Sequence, residues 1–483
     1  METPSTDKHE QKRITARSED YSEWYQDVIA AADLAEHSPV KGCMIIKPNG
    51  YALWERIQEV LDKAFKKEGV RNAYFPLFIP ERLLKREEAH VEGFAPEVAV
   101  VTHAGGKKLD EPLVVRPTSE TIMYETFSKW VQSYRDLPLL INQWANVVRW
   151  ELRTRLFLRT TEFLWQEGHT VHATNEEADA RARRMLDIYR DLAENYLAIP
   201  VIPGIKSESE KFAGADKTYT IEAMMQDGKA LQAGTSHNLG QNFAKAFNVS
   251  FLDENGERQF GWQTSWGLST RIIGGLIMTH SDDTGLVLSP RIAPIQAVIT
   301  TIGRSDEKRA VDKAAEQLAH TLDEAGIRVH VDASDARPGD KFYEWEKKGV
   351  PLRLELGPKD IASGSSVLVR RDTGAKETVA ASALAKRVQQ LLDEIHKSLY
   401  DRALAYQKEK TKNVDSWDEF VREIEAGNFV LAHWSGDAEV EKKIKEETGA
   451  TIRCIPFDQV REDGKCVYSG EASTGRVIFA RAY

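Results

Sequence analysis

The sequence has few cysteines and no long apolar run. Three cysteines, Cys43, Cys454 and Cys466, occur among its 483 residues, too few for a disulfide framework, and they favour a reducing compartment. No apolar stretch reaches the about 18 residues that a membrane-spanning helix needs. The N-terminal residues contain neither an apolar core nor a small-residue cleavage site. We therefore expect a cytoplasmic protein that does not enter a membrane.

An excess of positive charge is also missing. The 65 Lys and Arg residues are outnumbered by 75 Asp and Glu residues, which gives a net charge of −10. Because a protein that coats nucleic acid needs global positive charge, any nucleic-acid contact must come from local basic patches. The length suffices for about two to four domains. A peptide hormone or a disulfide miniprotein is excluded.

Four segments of the chain differ in their pattern of apolar residues. Residues 1–20 are polar and predict a flexible N-terminus. Over 21–290, strand-like and helical stretches do not alternate regularly, which favours an α+β domain with an antiparallel or mixed sheet and helices on one side. Over 291–400 they alternate and predict an α/β domain with a mostly parallel sheet. Residues 401–483 begin with a charged helical stretch and end in strand-like sequence, typical of a small α+β domain.

Periodicity locates individual elements within these segments. A stripe of apolar residues at helical spacing predicts an amphipathic helix over 49–69, followed by a strand over 72–78. Further helices are predicted over 176–197, 306–325 and 383–398.

Familiar nucleotide-binding and hydrolytic motifs are absent. The sequence contains no phosphate loop of the pattern GxxxxGK[ST], no nucleophile elbow, no HExxH and no paired CxxC. If the protein handles nucleotides, it must therefore bind their phosphates with arginine side chains.

The most concentrated candidate site is an arginine-rich stretch between two β-rich runs. Arg149 and Glu151 are followed by a loop with Arg153 and Arg155, and then by Arg159. Alternate residues of a strand share a face, so we expect Arg149 and Glu151 to lie on the same one. A guanidinium can bind phosphate through two hydrogen bonds, and the nearby carboxylate can bind an amine or a metal-bound group. A hairpin with exposed charges and one structural ion pair explains these residues alone equally well.

Two further segments favour the functional interpretation. The string WGLSTRIIGGLI at 266–277 predicts an arginine at the start of an apolar helix, and GVRNAYFPLF occupies 69–78. Together with the arginine-rich stretch, and in this order, they resemble motifs 1, 2 and 3 of the class II aminoacyl-tRNA synthetases. Ser269 and Thr270 depart from the pattern, since many members of that class have glycine or aspartate ahead of the motif 3 arginine. The resemblance implies a class II synthetase fold around an antiparallel sheet, and motif 1 implies a homodimer.

Four strings are similar to those of prolyl-tRNA synthetases of the archaeal and eukaryotic type. They are RPTSE, FLWQEGH, QAGTSH and WGLSTR, beginning at residues 116, 163, 232 and 266, and the resemblance extends from about Tyr21 to Tyr483. It implies an enzyme that activates L-proline with ATP, releases pyrophosphate, and transfers the prolyl group to the 3′ end of tRNA(Pro). Magnesium would accompany the ATP, and positioning and electrostatics would supply most of the catalysis.

The resemblance also assigns residues to this reaction. The catalytic residues would be Arg149, which bridges the proline carboxylate and the α-phosphate, Glu151, and Arg271, which holds the γ-phosphate. Thr118 and Glu120 would hold the imino group of proline. The proline pocket would further contain Phe94, Arg149, Trp165, Glu167, His169 and His237. The ATP contacts, with Gln232 near the magnesium, would be Arg149, Glu151, Arg159, Thr160, Phe163, Gln232, Thr235, Ser269, Thr270 and Arg271.

The chemistry of proline agrees with this assignment. Its secondary ammonium beside a small apolar ring requires a carboxylate, a hydroxyl group and an aromatic wall. Glu120, Thr118 and the Phe, Trp and His side chains supply them. Taken one at a time, Trp165 and Phe163 also fit an ordinary core, which is the better interpretation of Trp165 alone, and His169 fits a satisfied buried histidine.

The predicted α/β domain resembles the anticodon-binding domain of the same family. Its signature is PGDKFYEWEKKGVPLRLELGPKD at 338–360, and residues 337–371 contain eight basic and five acidic side chains, a net charge of +3. Carboxylates among arginines suit the reading of unstacked bases. The resemblance gives four anticodon-binding candidates, Glu346, Arg353, Lys359 and Asp360. A solvated charged face is the alternative, and the better one for Lys347 and Lys348.

The C-terminal segment departs from its relatives, which often carry a four-cysteine zinc site there. The corresponding positions are Ser435, Val440, Cys466 and Ser469. Because one thiolate cannot make a tetrahedral site, we predict no zinc. Cys454 is expected to pack in the core. The final residues FARAY match relatives whose last tyrosine folds back towards the active site, so Tyr483 is expected to be more than a frayed end.

The sequence also predicts that one domain is absent and leaves two alternative functions open. The 122 positions from Arg149 to Arg271 leave no room for the large editing insertion of the bacterial-type enzymes, so no hydrolytic editing domain is expected. The main alternative is a catalytically silent tRNA-binding paralogue on the same fold, although such a copy would have no reason to keep its phosphate contacts. The second is a sister synthetase for threonine, glycine or histidine. The threonine enzyme would need a zinc-ligating cysteine, and no cysteine lies between Gly50 and Ala450.

Overall fold

The computed structural model describes residues 13–88, 98–303 and 305–483. Phe94, a predicted proline-pocket residue, lies outside them. Within the described residues, no helix has both the length and the apolar character needed to span a membrane.

The elements of the first 290 residues surround one large sheet. The helices are α1 (Tyr21–Ala31), α2 (Pro48–Lys67), α3 (Glu81–Glu88), α4 (Glu120–Trp130), α5 (Asn175–Asp191, continued by a π-helical turn at Leu192–Tyr196), α6 (Asn242–Phe247) and α7 (Arg271–His280). The strands are β1 (Ala35–His37), β2 (Met44–Ile46), β3 (Arg71–Asn72), β4 (Phe78–Pro80), β5 (Ala99–Ala104), β6 (Lys107–Val115), β7 (Leu139–Val148), β8 (Glu162–His172), β9 (Val201–Ile205), β10 (Lys217–Met224), β11 (Ala230–Gly240), β12 (Ser250–Leu252), β13 (Arg258–Phe260) and β14 (Trp262–Ser269).

The central sheet is antiparallel, as predicted. Its strands lie in the order β9, β10, β11, β14, β8, β7 and β3, and only the β7–β3 pair is parallel. The expectation of helices on one side alone is wrong. Tyr189 of α5 donates to Gln166 of β8 at 2.7 Å, whereas Tyr124 of α4 bonds His169 at 2.9 Å. Since residues 166 and 169 of one strand point to opposite faces, the sheet has helices on both.

Helix α2 follows the predicted periodicity, but the strand after it does not form as expected. The buried residues Leu53, Ile57, Leu61 and Phe65 lie on one face of α2. Instead of one strand over 72–78, the structure has the short strands β3 and β4. Proline at 76 cannot donate to a sheet ladder, and the preceding carbonyl accepts a hydrogen bond from the Arg116 guanidinium at 2.7 Å. The Arg116 side chain therefore takes the hydrogen bond of a carbonyl that was expected to pair with a neighbouring strand.

The second region contains a five-stranded sheet. Its elements are β15 (Ala297–Thr301), α8 (Ser305–Glu324), β16 (Val329–Asp332), α9 (Pro338–Lys347), β17 (Leu352–Leu356), α10 (Pro358–Ser363), β18 (Ser365–Arg370), β19 (Lys376–Ala380) and α11 (Leu384–Glu409). The order is β16, β15, β17, β18, β19, with two parallel and two antiparallel pairs. The sheet is thus mixed rather than mostly parallel, because the links before and after β18 are too short for a crossover.

Helix α11 joins the regions. It continues well past the predicted end at residue 398. Its first half packs into the core of the second region. Near its end, Tyr406 donates to the Gln226 carbonyl at 2.7 Å and Gln407 to the Pro200 carbonyl at 3.3 Å. Residue 400 therefore lies within a helix that both regions share.

The C-terminal region extends the central sheet. Its elements are β20 (Thr411–Val414), α12 (Trp417–Glu425), β21 (Phe429–His433), α13 (Ala438–Thr448), β22 (Thr451–Pro456), β23 (Gly464–Lys465), β24 (Ala472–Ser473) and β25 (Arg476–Ala480). Strand β22 pairs with β9, so that β20, β21, β25 and β22 complete an eleven-stranded sheet. Cys454 is fully buried here, as predicted.

Candidate active site

A cavity of about 320 Å³ lies on the face of the central sheet that carries Glu167 and His169. Strands β8, β10, β11 and β14 form its base, and residues next to β7 and α4 close it. Twelve predicted site residues line this cavity: Thr118, Glu120, Arg149, Phe163, Trp165, Glu167, His169, Gln232, Thr235, His237, Ser269 and Arg271.

A buried carboxylate lines the cavity at the start of α4. Glu120 is the first residue of that helix, and Thr118 lies just before it. Thr118 Oγ1 donates a hydrogen bond to the Glu120 carboxylate, and the two residues are only 6% and 4% exposed. A hydroxyl beside a buried carboxylate offers strong, charge-assisted hydrogen bonds to a substrate ammonium.

Glu167 and His169 form a hydrogen-bonded wall beside this carboxylate. Glu167 accepts from Gln143 Nε2 at 2.9 Å and from the Ser119 hydroxyl. His169 Nε2 lies 3.2 Å from Glu167, and its Nδ1 lies 2.9 Å from the Tyr124 hydroxyl. Burial opposes protonation of His169, but the bond to Glu167 outweighs it and raises the pKa of the imidazole. His169 is thus a satisfied buried histidine that also lines the cavity.

Arg149 lies against two aromatic rings of the cavity. Its Nε donates to the Pro117 carbonyl at 2.9 Å, and its guanidinium lies 5.5 Å from the Phe163 ring and 5.3 Å from the Trp165 ring. Although Arg149 is exposed on one side, desolvation by the surrounding protein lowers the pKa of its guanidinium, and the carboxylates of Glu120 and Glu167 act against that shift. Both aromatic side chains are only partly buried. The core interpretation of Trp165 is therefore wrong, since its ring forms a cavity wall.

The expectation that Arg149 and Glu151 share a strand face is also wrong. Strand β7 ends at Val148, and only the Arg149 N–H continues its pairing, with the Thr161 carbonyl at 2.8 Å. Glu151 lies in the following loop, where its carboxylate accepts from Arg159 Nε at 2.7 Å. The period-2 argument fails because β7 ends at Val148, three residues before Glu151.

A second cavity of about 440 Å³ adjoins the first through Arg271. It is lined by Glu151, Arg153, Thr154, Arg155, Leu158, Arg159, Arg271 and Tyr483. Arg271 is the first residue of α7, and its Nε donates to the Leu158 carbonyl at 3.0 Å. Burial lowers the pKa of Arg271, and the like charges of Arg149 and Arg159 lower it further. Three guanidinium groups thus converge where an anion would relieve their repulsion.

Tyr483 packs at the edge of this second cavity. Its hydroxyl donates to Asp227 at 2.6 Å, and its ring lies 4.8 Å from Lys229 Nζ and 5.6 Å from the Arg155 guanidinium. The end of the chain is therefore fixed beside the arginine loop, in agreement with expectation.

Two predicted ATP contacts have side chains that do not line either cavity. Thr160 is 4% exposed, and its hydroxyl donates to the Glu162 carbonyl at 2.7 Å. Thr270 is fully buried ahead of α7. Local backbone geometry, rather than the motif position, determines where these two hydroxyls lie.

His237 belongs to a row of residues across three strands. Ser265 of β14 pairs in register with His237 of β11 on one side and with His169 of β8 on the other. His237 Nδ1 lies 2.9 Å from the Thr218 hydroxyl, and its ring centroid lies 4.7 Å from that of Phe212. Burial lowers the pKa of His237 to about 3, so the ring is neutral near pH 7.

Sequence reasoning did not assign nine residues of the cavity lining to the site: Glu210, Phe212, Thr218, Ala233, Gly234, Ser265, Trp266, Gly267 and Leu268. The alternation of β14 could have indicated Ser265, which points to the same face as Gly267 and Ser269. Phe212 lies in an irregular stretch, where the sequence contains no corresponding signal.

Gln232 is the residue that was predicted to lie near the magnesium. It lies opposite Glu222 in the register of β10 and β11, beside a bulge. The Glu222 carboxylate already accepts from Lys206 at 2.8 Å, Thr220 at 2.7 Å and Arg453 at 2.9 Å. Gln232 can therefore offer an amide oxygen to a hydrated cation, whereas the Glu222 carboxylate is fully engaged.

Among the described residues, Glu120, Glu167 and His169 could also hold a metal ion directly, since their ligand atoms lie within 4.8 Å of one another. Both ring nitrogens of His169 are hydrogen-bonded within the protein, however. The three residues are better suited to an organic cation, which needs acceptors rather than a free nitrogen lone pair.

Comparison with known proteins identifies the family. Three family models match the chain: "tRNA synthetase class II core domain (G, H, P, S and T)" over residues 102–280, "Anticodon binding domain" over 296–391 and "Prolyl-tRNA synthetase, C-terminal" over 417–483. A proline–tRNA ligase of Porphyromonas gingivalis is 58% identical over 98% of this chain and 99% of its own length. The chain belongs to the prolyl-tRNA synthetase family. This confirms the predicted family and the class II synthetase fold.

Other prolyl-tRNA synthetases give the same result over the full length. The proline–tRNA ligase of Chloroherpeton thalassium is 56% identical over 98% of this chain and 100% of its own. A crystal structure of the prolyl-tRNA synthetase of Cryptosporidium parvum, complexed with halofuginone and AMPPNP, superimposes with a TM-score of 0.93. It is 41% identical and covers 98% of this chain and 97% of that chain.

The anticodon-binding candidates of this synthetase separate into two groups. Glu346 and Arg353 line one cavity of about 440 Å³. Arg353 pairs with Glu355 at 3.0 Å, and its guanidinium lies 4.2 Å from the Phe342 ring. Lys359 and Asp360 lie on α10 and do not line this cavity. Asp360 instead accepts the Gly357 N–H at 2.8 Å and caps the helix.

Lys347 and Lys348 do not form a solvated face. Lys347 is only 9% exposed, and both ammonium groups pair with Glu344, at 3.3 and 3.0 Å. The expectation for Lys347 is therefore wrong, because its side chain packs at the end of α9.

The family's zinc position offers a poor donor set in this chain. Burial raises the pKa of the Cys466 thiol, but hydrogen bonds from Ser469 and from backbone N–H groups outweigh this and lower it. Val440 packs in the apolar core of this region, and Ser435 supplies a hydroxyl. One thiol with two hydroxyls and an alkyl group does not match a tetrahedral zinc site.

Proposed function

We propose that the chain is a proline–tRNA ligase that activates L-proline with ATP and transfers it to tRNA(Pro). The observation that carries this proposal is one cavity in which the buried Glu120 carboxylate accompanies the guanidinium groups of Arg149 and Arg271. The first group suits a secondary ammonium, and the other two suit phosphates. A site for amino-acid activation needs both.

Proline binds by its charge and by its shape in this proposal. Glu120 and the Thr118 hydroxyl accept the two N–H groups of the ammonium. Trp165, the adjacent rings of Phe212 and His237, and the Glu167–His169 pair enclose the apolar ring. Because His237 is neutral near pH 7, it adds no charge repulsion against the bound ammonium.

The first step joins the proline carboxylate to the α-phosphorus of ATP. A carboxylate oxygen forms the new P–O bond, the bond to the β-phosphate oxygen breaks, and pyrophosphate leaves. Arg149 stabilises the negative charge that develops on the α-phosphate oxygens, and Arg271 and Arg159 bind the outer phosphates. Such preorganised charge in a buried site is a large source of rate enhancement.

Magnesium would accompany ATP and neutralise charge on its phosphates. Gln232 would hold it, through an amide oxygen and coordinated water, since divalent magnesium keeps several waters when it binds.

The second step transfers the prolyl group. A ribose hydroxyl of the terminal adenosine of the tRNA attacks the carbonyl of prolyl-adenylate, and AMP leaves. No side chain of the protein becomes acylated, and no editing step follows, since the residues between Arg149 and Arg271 build the central sheet itself.

The binding of partners belongs to the same proposal. The anticodon contacts Glu346 and Arg353 in their cavity, and Lys359 and Asp360 on α10, outside that cavity. A homodimer would form at motif 1, where Tyr74 and Phe78 are 71% and 45% exposed. Trp130 of α4, which is 48% exposed and contacts Phe75, would extend this surface. Light scattering measures the oligomeric state directly. The proposal includes a cytoplasmic location, which cell fractionation tests.

ATP–pyrophosphate exchange with each of the twenty amino acids tests the function. Proline should give the strongest exchange, and tRNA(Pro) should then be charged. Exchange with none of them would favour the silent tRNA-binding paralogue. Strongest exchange with threonine, glycine or histidine would identify a sister synthetase instead.

A further inference from the structure

The anticodon domain and the catalytic region meet at a short turn after α7. Arg371, which follows β18, donates two hydrogen bonds to the Asp282 carboxylate, at 2.7 and 2.8 Å. Beside them, the Leu286 N–H donates to the Lys347 carbonyl at 3.1 Å. A Cβ at Gly285 would lie 2.8 Å from the Lys347 backbone, so the two chains touch directly.

The same residues form a wall of the anticodon cavity. Asp282, Arg371, Glu346 and Arg353 all line it. Arg371 Nε also donates to the Glu346 carbonyl at 2.9 Å. An RNA base that binds against Glu346 therefore lies next to Arg371, the residue that is bonded to Asp282.

Helix α7 connects this turn with the active site. Arg271 is its first residue, and Asp282 comes two residues after its last, so the helix spans about 15 Å between them. All of its residues except Arg271 and Thr279 are buried. Cβ atoms at Gly274 and Gly275 would lie 2.5 Å from Leu158 and 2.6 Å from Leu231, which shows how closely the helix packs. Such a helix shifts as a unit rather than bending.

We propose that Arg371 is a positioning residue, which couples occupation of the anticodon cavity to the placement of Arg271 in the active site. The inference rests on the proposed function. Through its bond to Asp282, Arg371 fixes the end of α7, and α7 fixes Arg271 and the Leu158 carbonyl to which that arginine is bonded. A cognate anticodon stabilises the arrangement in which Arg271 is correctly placed, and a mismatched one does not.

Aminoacylation kinetics with two transcripts test this coupling. One is tRNA(Pro), and the other is the same RNA with its anticodon replaced. In the wild-type chain, kcat should be about tenfold higher with the cognate anticodon, a typical size for coupling between two sites. In Arg371→Met and in Asp282→Asn, this ratio should fall to about threefold or less. Asparagine at 282 keeps an oxygen for the Thr284 turn but loses the charge that Arg371 requires.

Arg370→Met is the matched control. Arg370 lines the same cavity, but its guanidinium pairs with Asp372 and Glu394 of its own domain. Its removal takes the same charge from the RNA-binding surface, so KM for the tRNA should rise while the kcat ratio stays as in the wild type. In the double variant that combines Arg371→Met with Asp282→Asn, the kcat ratio should be no lower than in either single variant.

Three results would overturn the inference. They are an unchanged kcat ratio in Arg371→Met and Asp282→Asn, an equal fall of that ratio in Arg370→Met, and additive effects in the double variant. Far-UV circular dichroism and the thermal midpoint, each unchanged from the wild type, show that a variant is folded. A wild-type chain that neither exchanges pyrophosphate nor charges tRNA would refute the proposed function and the coupling with it.

Discussion

At the scale of single residues, opposite charges lie in one small cavity. Glu120 is 4% exposed, whereas Arg149 remains open to solvent on one side and lies against Phe163 and Trp165 on the other. Buried charges cost free energy unless they are paired or await a charged ligand. Proline, which carries both charges, and ATP would compensate these groups together, which explains why the site keeps them.

Glu120→Gln should raise KM for proline by about 10–100-fold, because a hydrogen bond to a charged group is worth about 1.5–3 kcal/mol. KM for ATP should not change. The control is Glu210→Gln, which lines the same cavity but pairs with Lys445 at 3.4 Å. Steady-state exchange kinetics measure both. Equal effects of the two substitutions on proline binding would contradict the assignment of Glu120.

His280 at the end of α7 should make stability depend on pH. Its Nε2 donates to the Leu197 carbonyl at 2.9 Å, and burial lowers the pKa of its ring to about 3. Below the unfolded pKa of about 6.5, the unfolded chain binds a proton that the native state refuses, so acid destabilises the fold by about 1.4 kcal/mol per pH unit for this group. This loss continues down to the folded pKa.

The midpoint of the first thermal transition, followed from pH 7.5 to 5, measures this effect. A chain of several domains does not unfold in two states, so the midpoint is compared rather than a global free energy. His280→Gln should show a shallower fall with decreasing pH than the wild type. Parallel pH profiles would disagree with a neutral buried His280.

Sequence reasoning located charged site residues better than their neighbours. Arg149, Arg271 and Glu120 occur at fixed spacings that the chemistry requires, so a motif reveals them. Phe212 reaches the cavity only through the tertiary fold. Thr160 occupies a motif position, but its hydroxyl bonds the backbone nearby. A motif therefore indicates which positions belong to a site, but it does not show which way a short side chain points.

At the scale of elements, β8 and β14 pair closely beneath the site. Gly168 of β8 lies opposite Trp266 of β14, and a Cβ at Gly168 would lie 2.1 Å from that indole. Trp266 is 1% exposed, and its indole packs on the face of the sheet opposite the cavity, where its ring centroid lies 4.9 Å from that of Phe65. The absence of a side chain at 168 therefore allows the indole to pack flat against the strand.

Gly168→Ala should lower the thermal midpoint by several degrees, since overpacking a core costs about 1–3 kcal/mol. Gly267→Ala is the control, because a Cβ there has its nearest contact at 3.4 Å, with the Gln166 carbonyl. Differential scanning calorimetry of both variants measures the difference. An equal midpoint for the two would show that the indole can move without cost.

The most predictable elements were those that one local sequence pattern determines. The apolar stripe of α2 determines its length within two residues, whereas the strand expected after it depends on Pro76 and on a distant arginine, Arg116. Helix α11 is longer than expected, since its second half is stabilised by contacts with the catalytic region. Strand direction in the second sheet depends on loop length, which apolar pattern does not show.

At the scale of the whole molecule, one sheet joins the C-terminal region to the active site. Lys206 and Arg453 both pair with Glu222, and the three side chains are 2%, 8% and 0% exposed. Arg453 comes from β22, and Glu222 lies opposite Gln232. The C-terminal region thus fixes the strand pair that carries a predicted ATP contact.

Arg453→Met should destabilise the protein by about 3 kcal/mol, because it leaves Glu222 buried with part of its charge uncompensated. Arg422→Met in the same region is the control. Its side chain is 67% exposed and pairs with Glu419 and Glu423, so its loss should cost less than about 1 kcal/mol. Thermal melts compare the two. A similar midpoint for both variants would mean that the buried triad adds nothing to the junction.

Although the net charge of the whole chain is −10, its basic side chains are not spread evenly. Basic side chains gather at two places, in the cavity of the arginine loop and in the anticodon cavity. The rest of the surface repels polyanions in general. This distribution fits the proposed contact with one tRNA at two local sites, and it disfavours indiscriminate RNA binding.

The central claim is that this one cavity activates proline, with Arg149 stabilising the charge on the α-phosphate. Proline-dependent ATP–pyrophosphate exchange by Arg149→Ala tests it most directly. By analogy with a lost oxyanion donor, we predict a cost of about 3–4 kcal/mol in transition-state stabilisation, or about 100–1,000-fold in kcat. Exchange by Arg149→Ala at a rate close to that of the wild type would contradict the account.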